Sequence, residues 1–304
     1  MSSHDHAEDS RNATVQVWMN GALVPRKDAV VSILDSGFLM GDGVWEGLRI
    51  HHGGVPFLER HLDRLEENAR ALALDLQWTR PQIRQAIAET AKANGMTDGV
   101  HARLMVTRGI KSTPFQGTGV NQGGPTRILL AEWKSPPPEL FATGLKLVTV
   151  PIRRGRPDVQ DPAWNSHSKL NCVSASIAAD RAGGDEGLML DPHGFVATCN
   201  STHFFIVRRG VLMTSTGRYC LRGITRQVVL EVAREAGLDV RECDFSMTQV
   251  YGAQEAFCTG TYAGIIPVRE IDGRPMDLPG PITERLRQLY TKRLTAEAKR
   301  VPLP

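Results

Sequence analysis

Lys169 is the only lysine between Lys146 and Lys292. An isolated amine of this kind can condense with a carbonyl to form a Schiff base, the attachment that an aldehyde cofactor of the pyridoxal type needs. Downstream of it the chain offers places for a phosphate. Leu221-Arg222-Gly223-Ile224-Thr225-Arg226 runs a glycine turn straight into a helix start, where unpaired N–H groups and the positive end of the helix dipole favour an anion. Thr259-Gly260-Thr261 follows a strand-like run and sets two hydroxyls beside a residue that permits close approach. Upstream, His61-Leu62-Asp63-Arg64 places a guanidinium near the start of a helix, and a guanidinium can clamp a phosphate through two parallel hydrogen bonds. Each of these reads equally well alone as an ordinary cap, turn or surface arginine. His101, His167 and His203 lack metal-ligand spacing and read as structural, so no metal site is expected.

The elements that must position these residues follow from periodicity and turn chemistry. Asn20-Gly21, within residues 15–24, has the residues of a tight primed turn and predicts a β-hairpin. Leu58, Leu62, Leu65, Ala69 and Leu72 fall at helical spacing, and a second helix is expected over 81–94, opened by proline and stopped before Gly95. With strand-like runs at 102–107 and 127–132 these make a small domain over residues 13–133, behind a polar stretch, 1–12, read as a disordered lead-in. Consecutive prolines in Lys134-Ser135-Pro136-Pro137-Pro138 fix φ and remove donors, so no helix or central strand is expected there and 134–141 reads as a linker. Residues 142–304 form the larger domain. They hold a strand at 146–152, a loop reaching Lys169, a helix stopping at Gly183-Gly184, and hairpins turning at Asp191-Pro192-His193-Gly194 and Arg209-Gly210. A further helix spans 225–236, with Thr225 as N-cap and Gly237 as stop. The expected fold class is α+β, a small N-terminal α/β domain plus a larger C-terminal β-rich domain with helices.

Composition narrows the function classes. The 304 residues carry 36 Lys plus Arg against 33 Asp plus Glu, a net charge of +3, too small and too scattered for a nucleic-acid partner. Cys172, Cys199, Cys220, Cys243 and Cys258 are odd in number and show neither metal pairs nor a disulfide framework, which points to a reducing cytoplasm. Residues 1–12 include Asp5, Glu8 and Asp9 and no apolar run, so neither a signal peptide nor a membrane anchor is expected.

An ordered series then resembles one family. Gly41-Asp42-Gly43-Val44-Trp45-Glu46-Gly47, His61-Leu62-Asp63-Arg64-Leu65, Gly223-Ile224-Thr225-Arg226, Glu255-Ala256-Phe257 with Thr259-Gly260-Thr261, and Pro267-Val268 are similar to the class IV pyridoxal phosphate aminotransferases. That family includes branched-chain and D-amino acid aminotransferases, (R)-selective amine transaminases and aminodeoxychorismate lyase. The resemblance covers most of the chain and implies pyridoxal 5′-phosphate as cofactor. By it, Lys169 is the catalytic Schiff-base residue and proton shuttle, while Arg64, Ile224, Thr225 and Thr261 hold the phosphate. Trp45, Arg49, Tyr262 and Ala263 would line the substrate pocket. Glu46-Gly47-Leu48-Arg49 looks like the branched-chain enzymes, and Arg108 or Lys111, if turned inward, would trap a carboxylate. The implied reaction moves an amino group between an amino acid or primary amine and a 2-oxo acid, in a homodimer. A lyase of the aminodeoxychorismate type, or a relative that has lost transamination, are the alternatives.

Two departures stand out. Gapless matching from Asp161-Pro162 and from Gly183 to Asp191 puts Asn165 at the family's lysine position, with Lys169 four residues later. Four residues are one helical turn, about 6 Å along one face, so the expectation is an amine displaced by a turn, or a small gap that realigns Lys169-Leu170-Asn171. The second departure is Thr198, which stands where the family has a glutamate facing the pyridine nitrogen. A carboxylate keeps that nitrogen protonated; a hydroxyl is expected to donate to an unprotonated one and leave a weaker electron sink.

Overall fold

The computed structural model describes residues 2–303, which fall into two compact units interleaved along the chain. The N-terminal unit comprises Ala7–Ser135, Trp164–Lys169 and the residues from Leu294 onward; the rest forms the C-terminal unit. Both combine helices with sheet, the expected α+β class.

In chain order the N-terminal unit holds β1 (Gln16–Met19), β2 (Ala22–Pro25), α1 (Ser36–Met40), β3 (Gly43–Ile50), α2 (Leu58–Ala71), α3 (Arg80–Asn94), β4 (Val100–Thr107), the short strands β5 (Ile110–Lys111) and β6 (Asn121–Gln122), and β7 (Thr126–Trp133). An antiparallel sheet of order β2-β1-β7-β4-β3 is its frame. The first hairpin closes at Asn20 and Gly21, both at positive φ (51° and 100°), as a primed turn requires. Thr79 and Gln82 cap α3 reciprocally, and Gly95 ends it at φ 66°. Helix α2 packs on β3 and α3 packs on β1 and β7, enclosing Val44, Leu48, Leu62, Leu65, Ile83 and Leu104. Side chains alternate along a strand, so Val44, Glu46, Leu48 and Ile50 face this core while Trp45, Gly47 and Arg49 face away from it. Within the expected lead-in, Asp9 caps a 3-10 helix at Ser10–Thr14.

The C-terminal unit continues with α4 (Pro138–Thr143), β8 (Leu145–Thr149), α5 (Pro157–Gln160), α6 (Leu170–Arg181), β9 (Glu186–Leu190), β10 (Val196–Cys199), β11 (His203–Arg208), β12 (Val211–Thr214), α7 (Ile224–Glu235), β13 (Val240–Glu242), α8 (Met247–Tyr251), β14 (Glu255–Gly260), β15 (Gly264–Ile271), β16 (Arg274–Pro275) and the part of α9 (Pro281–Arg300) up to Arg293. Its mixed sheet runs β10-β9-β8-β15-β14-β11-β12-β13, with β16 beside β15. Strand β8 lies parallel to both β9 and β15. The expected hairpins form between β9 and β10 and between β11 and β12. Strands β9 and β10 are buried along their whole length.

The strand expected at 146–152 runs over Leu145–Thr149, and two helix starts differ from expectation through cap chemistry. The proline run ends in a helix, because Pro138 occupies the first position of α4, where an N–H has no helical partner to lose. Thr225 is not the cap of α7: Gly223 holds that place, with Ile224 first and Thr225 second in the helix. Among the described residues no helix is long and apolar enough to cross a membrane.

Candidate active site

Residues 164–169 pair with the start of β3. Trp45 N donates to the Asn165 carbonyl (3.0 Å), His167 N donates to the Gly43 carbonyl (2.9 Å), and Val44 bridges Ser166 antiparallel. Gly43 has no room for a side chain, since a Cβ there would lie 2.6 Å from the Val106 carbonyl oxygen. Asn165 is buried. Its backbone N–H donates to Asn68 Oδ1 and its Nδ2 donates to the Trp45 carbonyl (2.6 Å), while Trp45 Nε1 donates to the Ser166 carbonyl (3.1 Å). The remaining Asn165 atom, Oδ1, lies 3.3 Å from Lys169 Nζ.

The amine therefore lies beside Asn165, but not by a helical turn. Pairing with β3 keeps the segment non-helical, α6 begins only at Leu170, and the long side chain folds back. Lys169 Nζ also stands 5.5 Å from the Trp45 ring centroid, and the Arg103 guanidinium stacks on the same ring at 4.0 Å. His167, whose Nε2 meets the Val44 carbonyl at 3.3 Å, is held below its ordinary pKa. Burial is the main cause and the charges of Arg103 and Lys169 add to it, against the carbonyl contact.

The opposite face of β3 carries a saturated ion cluster. Glu46 accepts from Arg64 Nε (2.8 Å), Arg64 Nη2 (2.6 Å) and His61 Nδ1 (2.6 Å). Burial alone would raise its carboxyl, yet the Arg64 charge and the hydrogen bonds from Arg64 and His61 bring it down to about 2. Two N–H groups of Arg64, the expected phosphate clamp, are thus committed to Glu46. Arg108 is not turned inward as a carboxylate trap. Its Nε and Nη2 grip Asp42 (2.8 and 3.0 Å), and Nη1 and Nη2 donate to the carbonyls of Ala73 (2.7 Å) and Leu72 (2.8 Å), tying a loop to the end of α2. Lys111 is buried and donates to Gly117 O and Asn121 Oδ1. Arg49 sits on the Trp45 face of β3, opposite His101 of β4.

In the C-terminal unit, Ile224 and Thr225 are buried at the start of α7, whose first turn receives no side-chain cap. Helix α7 packs on β14, where Thr259 Oγ1 is buried without a hydrogen-bond partner. Open first-turn N–H groups and an unsatisfied hydroxyl suit a phosphate. Arg226 pins this helix start: Nε donates to His203 Nε2 (2.9 Å), and Nη2 donates to the Ser215 carbonyl (2.7 Å) and to Glu242 Oε2 (2.8 Å). Burial, then the Arg226 charge, push His203 well below its usual pKa, so it accepts as a neutral ring. Thr261 and Ala263 are half-buried in the turn that follows β14. Tyr262, expected to line a pocket, is buried against the N-terminal segment; its hydroxyl donates to the Asp5 carbonyl (3.0 Å) and its ring stacks on His4 at 5.6 Å.

Thr198 Oγ1 donates to the Thr202 carbonyl (2.8 Å), so its proton is directed at the backbone and its lone pairs are left as acceptors. Arg103 lies in no segment read from the sequence as part of a site, whereas Thr259 lies in the Thr259-Gly260-Thr261 segment read as a place for a phosphate. The period-two alternation of β4, which puts Arg103 beside Met105 and His101 on one face, was the available signal for Arg103.

The fold and these residues define a class. The chain belongs to the class IV amino-transferase family, whose profile matches residues 43–271. It is 41% identical over 295 residues to branched-chain-amino-acid aminotransferase-like protein 2 of Arabidopsis thaliana, covering 96% of this chain and 52% of that protein; it spans about half the length of this relative. A putative branched-chain-amino-acid aminotransferase of Methanocaldococcus jannaschii is 39% identical over 279 residues, 91% of this chain and 95% of the relative. The branched-chain amino acid aminotransferase of Thermobaculum terrenum, solved in its PLP form, superposes with a TM-score of 0.84 at 27% identity, covering 95% of this chain and 96% of that one.

Proposed function

We propose that this chain is a pyridoxal 5′-phosphate-dependent aminotransferase that moves an amino group between a branched-chain amino acid and a 2-oxo acid. The observation that carries the reading is the Lys169 amine, 3.3 Å from the side chain of the residue at the family's lysine position. When bound, the cofactor supplies an aldehyde that captures amines and a conjugated ring that draws electrons from the neighbouring carbon. Ile224 and Thr225 give N–H groups to its phosphate, and Thr259 and Thr261 add hydroxyls. Lys169 provides the attaching amine and then takes up and returns the substrate proton at Nζ. Trp45 walls one side of that amine against water. Arg103, stacked on the same ring, receives the substrate carboxylate. Arg64 serves first to neutralise Glu46. The branched-chain preference rests on the names of the Arabidopsis and Methanocaldococcus relatives.

The protein is further proposed to be a cytoplasmic homodimer. The odd cysteine count supports the compartment, and the exposed apolar side chains of Val30, Ile33 and Phe38 in the N-terminal unit support the pairing. Light scattering on a sizing column should give twice the chain mass.

Borohydride reduction of the purified holoenzyme, followed by peptide mapping, tests the assignment. A pyridoxyl group on Lys169 is expected; an adduct on another lysine, or none, sinks it. A donor screen of leucine, isoleucine and valine against D-alanine, with 2-oxoglutarate as acceptor, tests the substrate class separately.

A further inference from the structure

Beyond the end of β3 the chain turns through two adjacent imidazoles. The rings of His51 and His52 lie 4.1 Å apart, centroid to centroid. Both turn Nδ1 toward Asp98, in the turn between α3 and β4. His51 Nδ1 is 3.4 Å from Asp98 Oδ1, and His52 Nδ1 is 3.4 Å from Asp98 Oδ2. One ligand atom from each of the three residues fits within 4.8 Å of the others. These spacings exceed the roughly 2.7–2.9 Å of a charge-assisted hydrogen bond. Each is close to the edge of a coordination tetrahedron, about 3.3–3.4 Å when the bonds are about 2.0–2.1 Å, and since the two imidazoles face different carboxylate oxygens, one ion meets both through a bidentate carboxylate or a small shift of one ring.

We propose that His51, His52 and Asp98 form a binding site for a divalent ion of the zinc type, completed by water. Two imidazoles and one carboxylate suit zinc, nickel or copper, whereas magnesium and calcium call for oxygen ligands throughout. The site is built as well as composed. His52 adopts φ 48°, a left-handed conformation uncommon outside glycine and asparagine, and this brings its ring beside that of His51. Its backbone N–H donates to Asp98 Oδ1 (3.1 Å) and holds the carboxylate in place. The far nitrogen of His51, Nε2, lies 3.3 Å from Thr295 Oγ1, the kind of contact that orients a liganding imidazole. Side-chain exposures of 57% for His52 and 48% for Asp98 leave an entry path. The positive charge of Arg49, which also acts on His51, works against a cation and sets a ceiling on affinity.

The ion would act as a clip. Gly53 N donates to the Thr97 carbonyl (2.7 Å) and Leu303 N to the Gly53 carbonyl (2.8 Å), so the histidine turn already joins the Asp98 turn and the C-terminal segment. His51 lies six positions along the chain from Trp45, about 20 Å, so the site stabilises the N-terminal unit without touching Lys169.

Tag-free holoenzyme, freed of metal with a chelator and titrated with zinc chloride, tests this by calorimetry and thermal unfolding. One equivalent should bind at these residues and raise Tm by roughly 3 °C or more near saturation. His52→Asn, which tolerates the left-handed backbone, and Asp98→Asn should each weaken that binding at least tenfold and leave aminotransferase turnover and metal-free Tm unchanged. Zinc affinity equal in wild type and both variants would overturn the site and assign the ion elsewhere, for instance to His4 and His6. Absence of binding, or an equal Tm rise with magnesium chloride, would overturn it too.

Discussion

Trp45 and Glu46 are neighbours on one strand and lead into opposite regimes of charge. Toward α2, Glu46 is buried and accepts three hydrogen bonds from Arg64 and His61. Away from α2, Trp45 meets the cations Lys169 and Arg103 with a ring face, and the Lys169 amine meets a neutral amide. A buried carboxylate demands full pairing, and its cationic partner is then costly to redirect. A cation held by a ring and an amide gives up less when an anionic substrate arrives. The two faces of β3 thus separate what holds the unit together from what can do chemistry, and substitutions on them should separate stability from turnover.

The largest effect belongs to the outer face. Lys169→Ala should lower turnover by roughly 10³-fold or more with Tm nearly unchanged, and Lys169→Arg, which keeps the charge, should fare no better. Steady-state assays beside a thermal melt would expose a failure of the comparison as retained activity or a large loss of Tm. On the inner face, Glu46→Gln leaves the half-buried Arg64 without its counter-charge and should cost about 3 kcal/mol in urea unfolding, with activity per folded molecule largely kept. The sign with pH follows from the depressed carboxyl. The ordinary value is 4.5 and the folded value about 2. The Glu46 contribution is therefore complete above pH 4.5 and fades as pH falls from there toward 2. The stability gap between wild type and the variant should close over that interval.

Arg108, a carboxylate trap only if turned inward, sharpens the contrast because it grips Asp42 instead. Arg108→Ala removes a bidentate grip on Asp42 and two carbonyl contacts. It should cost about 1–2 kcal/mol of stability with KM for the amino acid unaltered. A raised KM at unchanged stability would restore it to the pocket.

What was legible in the sequence was local. Asn20-Gly21 and Arg209-Gly210 specify their turns within two residues, and the spacing of Leu58, Leu62 and Leu65 specifies the buried stripe of α2. Boundaries slipped by a residue or two where cap chemistry competes, as at Pro138 and Thr225. Long-range partners were not legible. Lys169 is placed by Asn165 and Ser166 pairing with Trp45, 120 and 121 positions away, and no pattern inside residues 161–170 encodes that strand. The fate of the Thr198 proton depends on a carbonyl only four residues on, but on a turn whose geometry is held by Glu186 accepting from Ser201 N and Thr202 Oγ1.

The smallest effect is the most discriminating. Arg103 lies on the exposed side of β4 and stacks on Trp45 at 4.0 Å, so its charge is partly screened and contributes little to folding. If it receives the substrate carboxylate, Arg103→Met, which keeps an apolar chain over the ring, should raise KM for the amino acid about fivefold to tenfold. Turnover at saturation should change little, because the contact is the same before and after the proton moves. Added salt should raise the wild-type KM toward that of the variant. An unchanged KM for Arg103→Met at low salt would remove Arg103 from the site.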